Sequence, residues 1–362
     1  MRRPFIVAAS GALITFMALS ISPAMGQSPD SKIILLDAPH SDLLGVSLNQ
    51  ELSASLLPDG RLGQLIFSPA SKPRIWLIDA ALIDEVVALG LKNASAQNWL
   101  SQLKILSAGE TVMALPYGHP DPSLTKRLAP SELDYYYRSS RARLQVVLDH
   151  EVLINQRLRW SGSNAHVVAD AIRSYTFNRR AIALLSTVVP AQQLDDLRSK
   201  LAFLLSTGST TKRQLYFAQN ADAALGATNH KLRIIPGKYR LTSAHEKVPI
   251  TLVNDFASPV RVNLQLTPLN SRIKVGRAET VSLAANSKTQ ISFPFTVIAS
   301  GSSAVIAEFR NSRGKALGDS VILTFGVSVI SPAVAWFTTS AAILLFMAAV
   351  TQSIRRVRKS RK

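Results

Sequence analysis

The clearest pattern in the chain is a two-residue alternation in its last third. From Pro259 to Thr267, Val260, Val262, Leu264 and Leu266 fall on one face, and Arg261, Asn263 and Gln265 on the other. Period two with one apolar face predicts a half-buried antiparallel strand. Similar runs occur at Val248–Val253, Thr280–Leu283, Gln290–Val297, Ala304–Phe309 and Ser320–Ser328. Turn-forming clusters separate them: Asn254-Asp255, Asn286-Ser287, Ser300-Gly301-Ser302 and Arg313-Gly314. Short strands at this spacing over residues 229–330 predict an all-β, immunoglobulin-like sandwich without paired cysteines.

Residues 27–228 carry a different pattern. Short apolar runs at Ile33–Leu36, Arg74–Ile78, Thr111–Leu115, Leu144–Leu148 and Gln214–Phe217 are the strand candidates. Helical spacing appears at Ala81–Leu91, Ala96–Leu106, Ser123–Leu128, Ser131–Arg143 and Ala191–Leu205. Strands alternating with helices predict an α/β region with a partial parallel sheet or barrel-like arrangement. The Leu194, Leu197, Leu201, Leu204, Leu205 stripe is expected to pack in its core.

The two ends predict a route and a compartment. Arg2-Arg3, the uncharged run Phe5–Ile21 and the small residues around Ala24 and Gly26 predict a signal peptide over residues 1–26, cleaved before Gln27. Ala333–Val350 is almost wholly apolar or small, and an 18-residue helix rises about 27 Å, close to the thickness of a hydrocarbon core. Residues 331–354 are therefore the expected transmembrane helix. Arg355, Arg356, Arg358, Lys359, Arg361 and Lys362 follow it as a cytoplasmic tail in residues 355–362. The predicted topology is single-pass type I in the cell membrane, with the N-terminal ectodomain outside and the C-terminal helix in the lipid bilayer.

Charge and composition then narrow the function. The chain has 362 residues and a net charge of +18, but eight of its basic residues sit at the two ends, leaving +10 spread over the rest. No basic stripe forms, so nucleic acid is not an expected partner. The absence of cysteine excludes disulfides, thiolate metal sites and a cysteine nucleophile. The six histidines form no HExxH or i,i+4 pair, and there is no GxSxG, Walker or GxGxxG motif. No cofactor or metal is expected, and no catalytic residue is assigned.

Three carboxylates are candidates if the chain is an enzyme: Asp79 after Ile75–Ile78, Asp121 after the Leu115–Pro120 loop, and Asp149 after Val146–Leu148. Acidic groups at the carboxyl ends of parallel strands could serve sugar binding or glycoside chemistry. Helix capping competes with that role at Asp79, and at Asp121 with Pro122 next to it.

The segments Trp76-Leu77-Ile78-Asp79-Ala80-Ala81-Leu82 and Ala114-Leu115-Pro116-Tyr117-Gly118-His119-Pro120-Asp121 resemble motifs of DUF6049, an actinobacterial family of secreted or membrane-anchored envelope proteins of unknown function. In that family a W-x-x-D-P-x-L strand end is followed by an L-P-Y-x-D-x-D loop; here Ala80 replaces the proline and His119 the first aspartate. The stretch around Val253-Asn254-Asp255-Phe256 and the C-terminal span and tail are also similar, in what looks like a shortened member. The resemblance implies a distal domain similar to polysaccharide-deacetylase or glycosidase barrels, without their metal-binding histidines. It also implies cell-wall work beside a peptidoglycan-precursor flippase system. Two functions stay open: a non-enzymatic anchored ectodomain that docks wall polymer or a partner, and a carbohydrate-active hydrolase or deacetylase-like enzyme acting on cell-wall glycan.

Overall fold

A computed structural model describes residues 31–157, 166–206, 208–328 and 332–359. The leader expected over residues 1–26 and the last three residues of the basic tail lie outside the described residues. Strand β1 (Ser31–Leu35) is followed by the short helices α1 (Glu51–Ser55) and α2 (Arg61–Phe67), then β2 (Arg74–Ile78), α3 (Ala80–Gly90) and α4 (Ala94–Ser107). Next come β3 (Thr111–Ala114), α5 (Pro122–Leu128), α6 (Pro130–Leu148) and the two-residue β4 (Leu153–Ile154). The four strands pair in the order β1-β2-β3-β4, every pair parallel. Sequential parallel order with helical crossovers is the topology of half a β/α barrel.

The apolar runs fill this sheet as their composition requires: Ile33, Leu35, Trp76, Ile78, Val112 and Ala114 are buried. Trp76 keeps its polar edge satisfied by donating Nε1–H to Glu110 at 2.6 Å, and Trp99 donates to the Leu62 carbonyl at 2.9 Å. Glu110 also receives the Arg74 guanidinium through Nε and Nη2, so that buried charge is paired.

Two expected strands are helical. Leu144–Leu148 is the last turn of α6, where Leu144 and Leu148 complete the stripe begun by Leu133, Tyr136 and Tyr137. Gln214–Phe217 lies near the start of α9 (Thr211–His230). Before α9 come α7 (Ala169–Leu185), α8 (Asp195–Lys200) and a 3₁₀ turn at Leu201–Leu205. Phe203 of that turn stacks on Tyr117 at 6.0 Å and meets Phe217 at 5.7 Å, locking the loop after β3 to the helical layer. Leu194, Leu197, Leu201, Leu204 and Leu205 are buried.

One residue separates α9 from the second module. Strands β5 (Leu232–Ile234), β6 (Lys238–Leu241), β7 (His245–Asn254), β8 (Val260–Pro268), β9 (Ile273–Val275), β10 (Glu279–Leu283), β11 (Ser287–Val297), β12 (Gly301–Arg310) and β13 (Ala316–Val327) form two sheets. Their orders are β10-β8-β12-β13-β6 and β5-β7-β11-β9. The alternation at 260–266 is realised: Val260, Val262, Leu264 and Leu266 are buried, and Arg261 is exposed. The sheets meet across Phe295 of β11 and Phe325 of β13, with ring centroids 4.9 Å apart. Asn311 joins the modules by donating Nδ2–H to Thr187 Oγ1 at 3.1 Å while its own Oδ1 accepts from the amides of Arg313 and Lys315.

The last element, α10 (Pro332–Lys359), contains a stretch, Trp336–Ser353, in which no residue is buried. By length and composition it is the one helix among the described residues long and apolar enough to cross a membrane.

Candidate functional site

The end of β2 places Asp79 where its carboxylate serves three donors. Oδ1 accepts from the amides of Ala81 and Gly118, each at 2.9 Å, and Oδ2 accepts from His119 Nδ1–H at 2.9 Å. The Ala81 bond caps α3, the local job an aspartate ahead of a helix does well. The other two require the Gly118-His119 turn, in which both residues adopt left-handed φ of 68° and 38°. A Cβ at Gly118 would lie 2.7 Å from Phe203 Cδ1, so the close approach needs glycine. Asp79 is 1% exposed and His119 3%.

The other candidates go elsewhere. Asp121 accepts from the Leu124 amide at 2.5 Å and caps α5, with Pro122 in its first turn. Asp149 does not end a strand: it closes α6 in a left-handed conformation, φ 60°. The structure brings Asp79 onto His119 and leaves all three carboxylates outside the cleft described next. Among the described residues no cluster of three His, Asp or Glu converges as a metal site.

That cleft, about 1000 Å³, opens at the carboxyl edge of the sheet, where β/α half-barrels gather ligands. Its walls come from the loop after β1, the outer face of α3, Tyr117 after β3, Arg143 and Val147 of α6, and Asp196 and Lys200 of α8. One wall is a strap, residues 37–50, tied down near its start. Glu85 of α3 accepts the amides of His40 and Ser41 and the Ser41 hydroxyl at 2.6–2.9 Å. Farther along, Asp42 accepts from Asn220 of α9 at 3.1 Å and caps the turn through the amides of Leu44 and Val46.

Burial pushes Glu85 above the ordinary carboxyl range, against the strap's hydrogen bonds. Burial also opposes charge on His40, but its contacts with Asp37 and Asn49 and the charge of Glu85 prevail and hold its pKa above 6.5.

The opposite wall is a chain of charges. Asp84 lies 2.5 Å from Arg143 Nη1 and accepts from the Tyr117 hydroxyl at 3.1 Å. The Arg143 guanidinium rests over the Tyr117 ring at 4.9 Å. Asp196 reaches Arg143 Nη1 at 3.9 Å and Lys200 Nζ at 2.8 Å. Burial raises Asp84 in spite of Arg143, and burial with the Asp84 charge lifts the Tyr117 phenol well above 10. Perturbed groups gathered in a cleft mark functional sites more often than chance.

None of Asp84, Glu85, Arg143, Asp196 and Lys200 stands out by motif. One signal was available: Asp84-Glu85 interrupts the apolar run Ala80–Leu91, and adjacent carboxylates in such a helix need partners from elsewhere.

A half-barrel, a β-sandwich and one exposed apolar helix define a two-module protein with a candidate C-terminal membrane anchor. The chain belongs to the family of unknown function DUF6049, whose model matches residues 126–362. No curated protein matches it. Among solved structures it is similar to WR4, an MSP family member of C. elegans, at 9% identity and TM-score 0.21, over 27% of this chain and 98% of that one. It is also similar to the ASH/PapD-like domain 7 of human CEP192, at 12% identity and TM-score 0.22, over 28% and 85%. Native E. coli alpha-2-macroglobulin matches at 14% identity and TM-score 0.22, over 27% of this chain and 6% of its own length. Scores this low carry no argument; the sandwich stands on its strand pairing.

Proposed function

We propose that the chain is a membrane-tethered docking protein of the cell envelope. In this reading α10 lies in the bilayer with its basic end at the cytoplasmic face, as positive charge after a span favours. The sandwich stands the half-barrel off the outer surface, and the cleft receives a segment of wall polymer. The observation that carries the reading is the state of the cleft. Its volume of about 1000 Å³ suits a sizeable ligand, yet its carboxylates already serve internal partners. A general acid or base must reach a substrate proton. Glu85 instead fastens the strap, and Asp84 holds Arg143 and Tyr117. These groups shape a wall for binding.

A hydrolase would need two carboxyls facing across the sugar at about 5–9.5 Å. Asp79 and Asp121 support that role poorly, because each caps a helix.

The test is co-sedimentation of the full chain, in nonionic detergent, with insoluble cell wall. The parent is expected to pellet with the wall. Val87→Arg, which fills the cleft from α3, is expected to bind at least tenfold less, and Asp121→Asn, which keeps the cap, to bind normally. Equal pelleting of Val87→Arg, or release of soluble sugar or acetate from the wall, would overturn the reading.

A further inference from the structure

Two cations from different helices hold one exposed carboxylate at the cleft wall. Asp196 presents Oδ2 to Lys200 Nζ at 2.8 Å and Oδ1 toward Arg143 Nη1 at 3.9 Å. The Asp196 side chain is 64% exposed, but those of Lys200 and Arg143 are only 15% and 27% exposed. The guest is thus more solvated than its hosts.

We propose that Arg143 and Lys200 form a recognition site for a carboxylate of the docked segment, with Asp196 as a resident stand-in that swings out to admit it. The guest is the terminal carboxylate of a short peptide with small aliphatic side chains. This inference rests on the docking role of the cleft and names what the cleft recognises.

Five observations support it. Arg143 is preoriented, since Asp84 holds Nη1 and the Tyr117 ring lies under the guanidinium. Its Nε and Nη2 donors make no hydrogen bond among the described residues, and a guanidinium edge of that kind suits a carboxylate. Displacing Asp196 turns a 64% exposed side chain to water, and the incoming carboxylate takes over its partly buried partners.

Charge then sets the valence of the guest. With Asp196 turned away, the remaining ion-pair partner of Arg143 and Lys200 is Asp84, a surplus of one positive charge across these three groups. That surplus balances a carboxylate and leaves one charge of a phosphate dianion uncompensated. Finally, the neighbouring wall is aliphatic, formed by Leu52, Val87, Leu91 and Val147. The rings of Tyr117 and Phe203 are buried against each other, so neither offers a face for a sugar to stack on. Peptide fits this lining better than glycan.

The experiment is isothermal titration of the full chain in nonionic micelles at neutral pH with N-acetyl-Ala-Ala, its C-terminal amide and inorganic phosphate. The acid is expected to bind at least tenfold tighter than the amide or phosphate. Lys200→Gln is expected to weaken it about tenfold. Asp196→Asn is expected to tighten it several-fold by removing the competitor, a gain that a merely structural Asp196 would not produce. Equal binding of acid and amide, preference for phosphate, no binding of the acid, or no gain in Asp196→Asn would overturn the proposal. If the acid fails while intact wall still pellets the parent and not Val87→Arg, this inference falls and the docking role stands. If wall pelleting fails as well, both fall.

Discussion

Replacing Asp79 by alanine removes one carboxylate and strands three buried donors. The lost helix cap costs about 1 kcal/mol. The Gly118 amide and the His119 Nδ1–H are left inside the protein without their acceptor, at about 1–3 kcal/mol each. Together the loss is about 3–7 kcal/mol, at the upper end for single substitutions. Asparagine behaves differently. Its Oδ1 can still accept from both amides, and its Nδ2 can donate to His119 Nδ1 once the ring takes its other tautomer. Asp79→Asn should therefore cost about 1–2 kcal/mol. Urea titration of the full chain in nonionic detergent, followed by tryptophan fluorescence, measures both, since Trp76 and Trp99 are buried in the half-barrel. Equal losses for the two variants, or a loss under about 1 kcal/mol for Asp79→Ala, would refute the claim that this carboxylate organises the turn.

Other perturbations test other links. Gly118→Ala must place a Cβ against Phe203 at a left-handed φ, and the same titration should show a loss of about 2–4 kcal/mol. Glu110 is held below the ordinary carboxyl range: burial opposes this, but the bonds from Arg74 and Trp76 prevail. Its contribution is full above 4.5 and is lost as pH falls through the lower folded value. Glu110→Gln should cost about 3 kcal/mol at neutral pH, because Arg74 stays buried without its counter-charge, and acid titration should show the gap to the parent closing below pH 4.5. His40 has a raised folded pKa, so the stability it contributes is full below pH 6.5 and is lost as pH rises through the folded value. Thermal midpoints of the parent should exceed those of His40→Gln most below pH 6.5, with the advantage shrinking toward alkaline pH. Leu345→Arg puts a charge at the centre of α10 at about 2.5–3.5 kcal/mol, and alkaline extraction of membranes should release this variant and retain the parent.

The elements that residue order assigns are those that local pattern encodes. Period-two burial marks β8 because each side chain's face follows from its place in the strand, and the apolar run of α10 declares itself by length alone. Short apolar runs are ambiguous by the same logic. Leu144–Leu148 suits a strand or a helix end, and only the stripe from Leu133 through Tyr136 and Tyr137, packed against the core, makes it helix.

Asp79 was legible as a strand-end carboxylate, but its partner His119 lies 40 residues away and meets it only through the turn at Gly118. Of the cleft, only the adjacent Asp84-Glu85 pair in an apolar helix was legible. Glu85 finds the strap across 44 residues, Asp84 finds Arg143 across 59, and Arg143 shares Asp196 with Lys200 from another helix. Such contacts have no spacing to detect, because the chain between the partners is free to vary while the pairing is set by where the packed elements bring their ends. Tertiary structure alone turned scattered charges into a site.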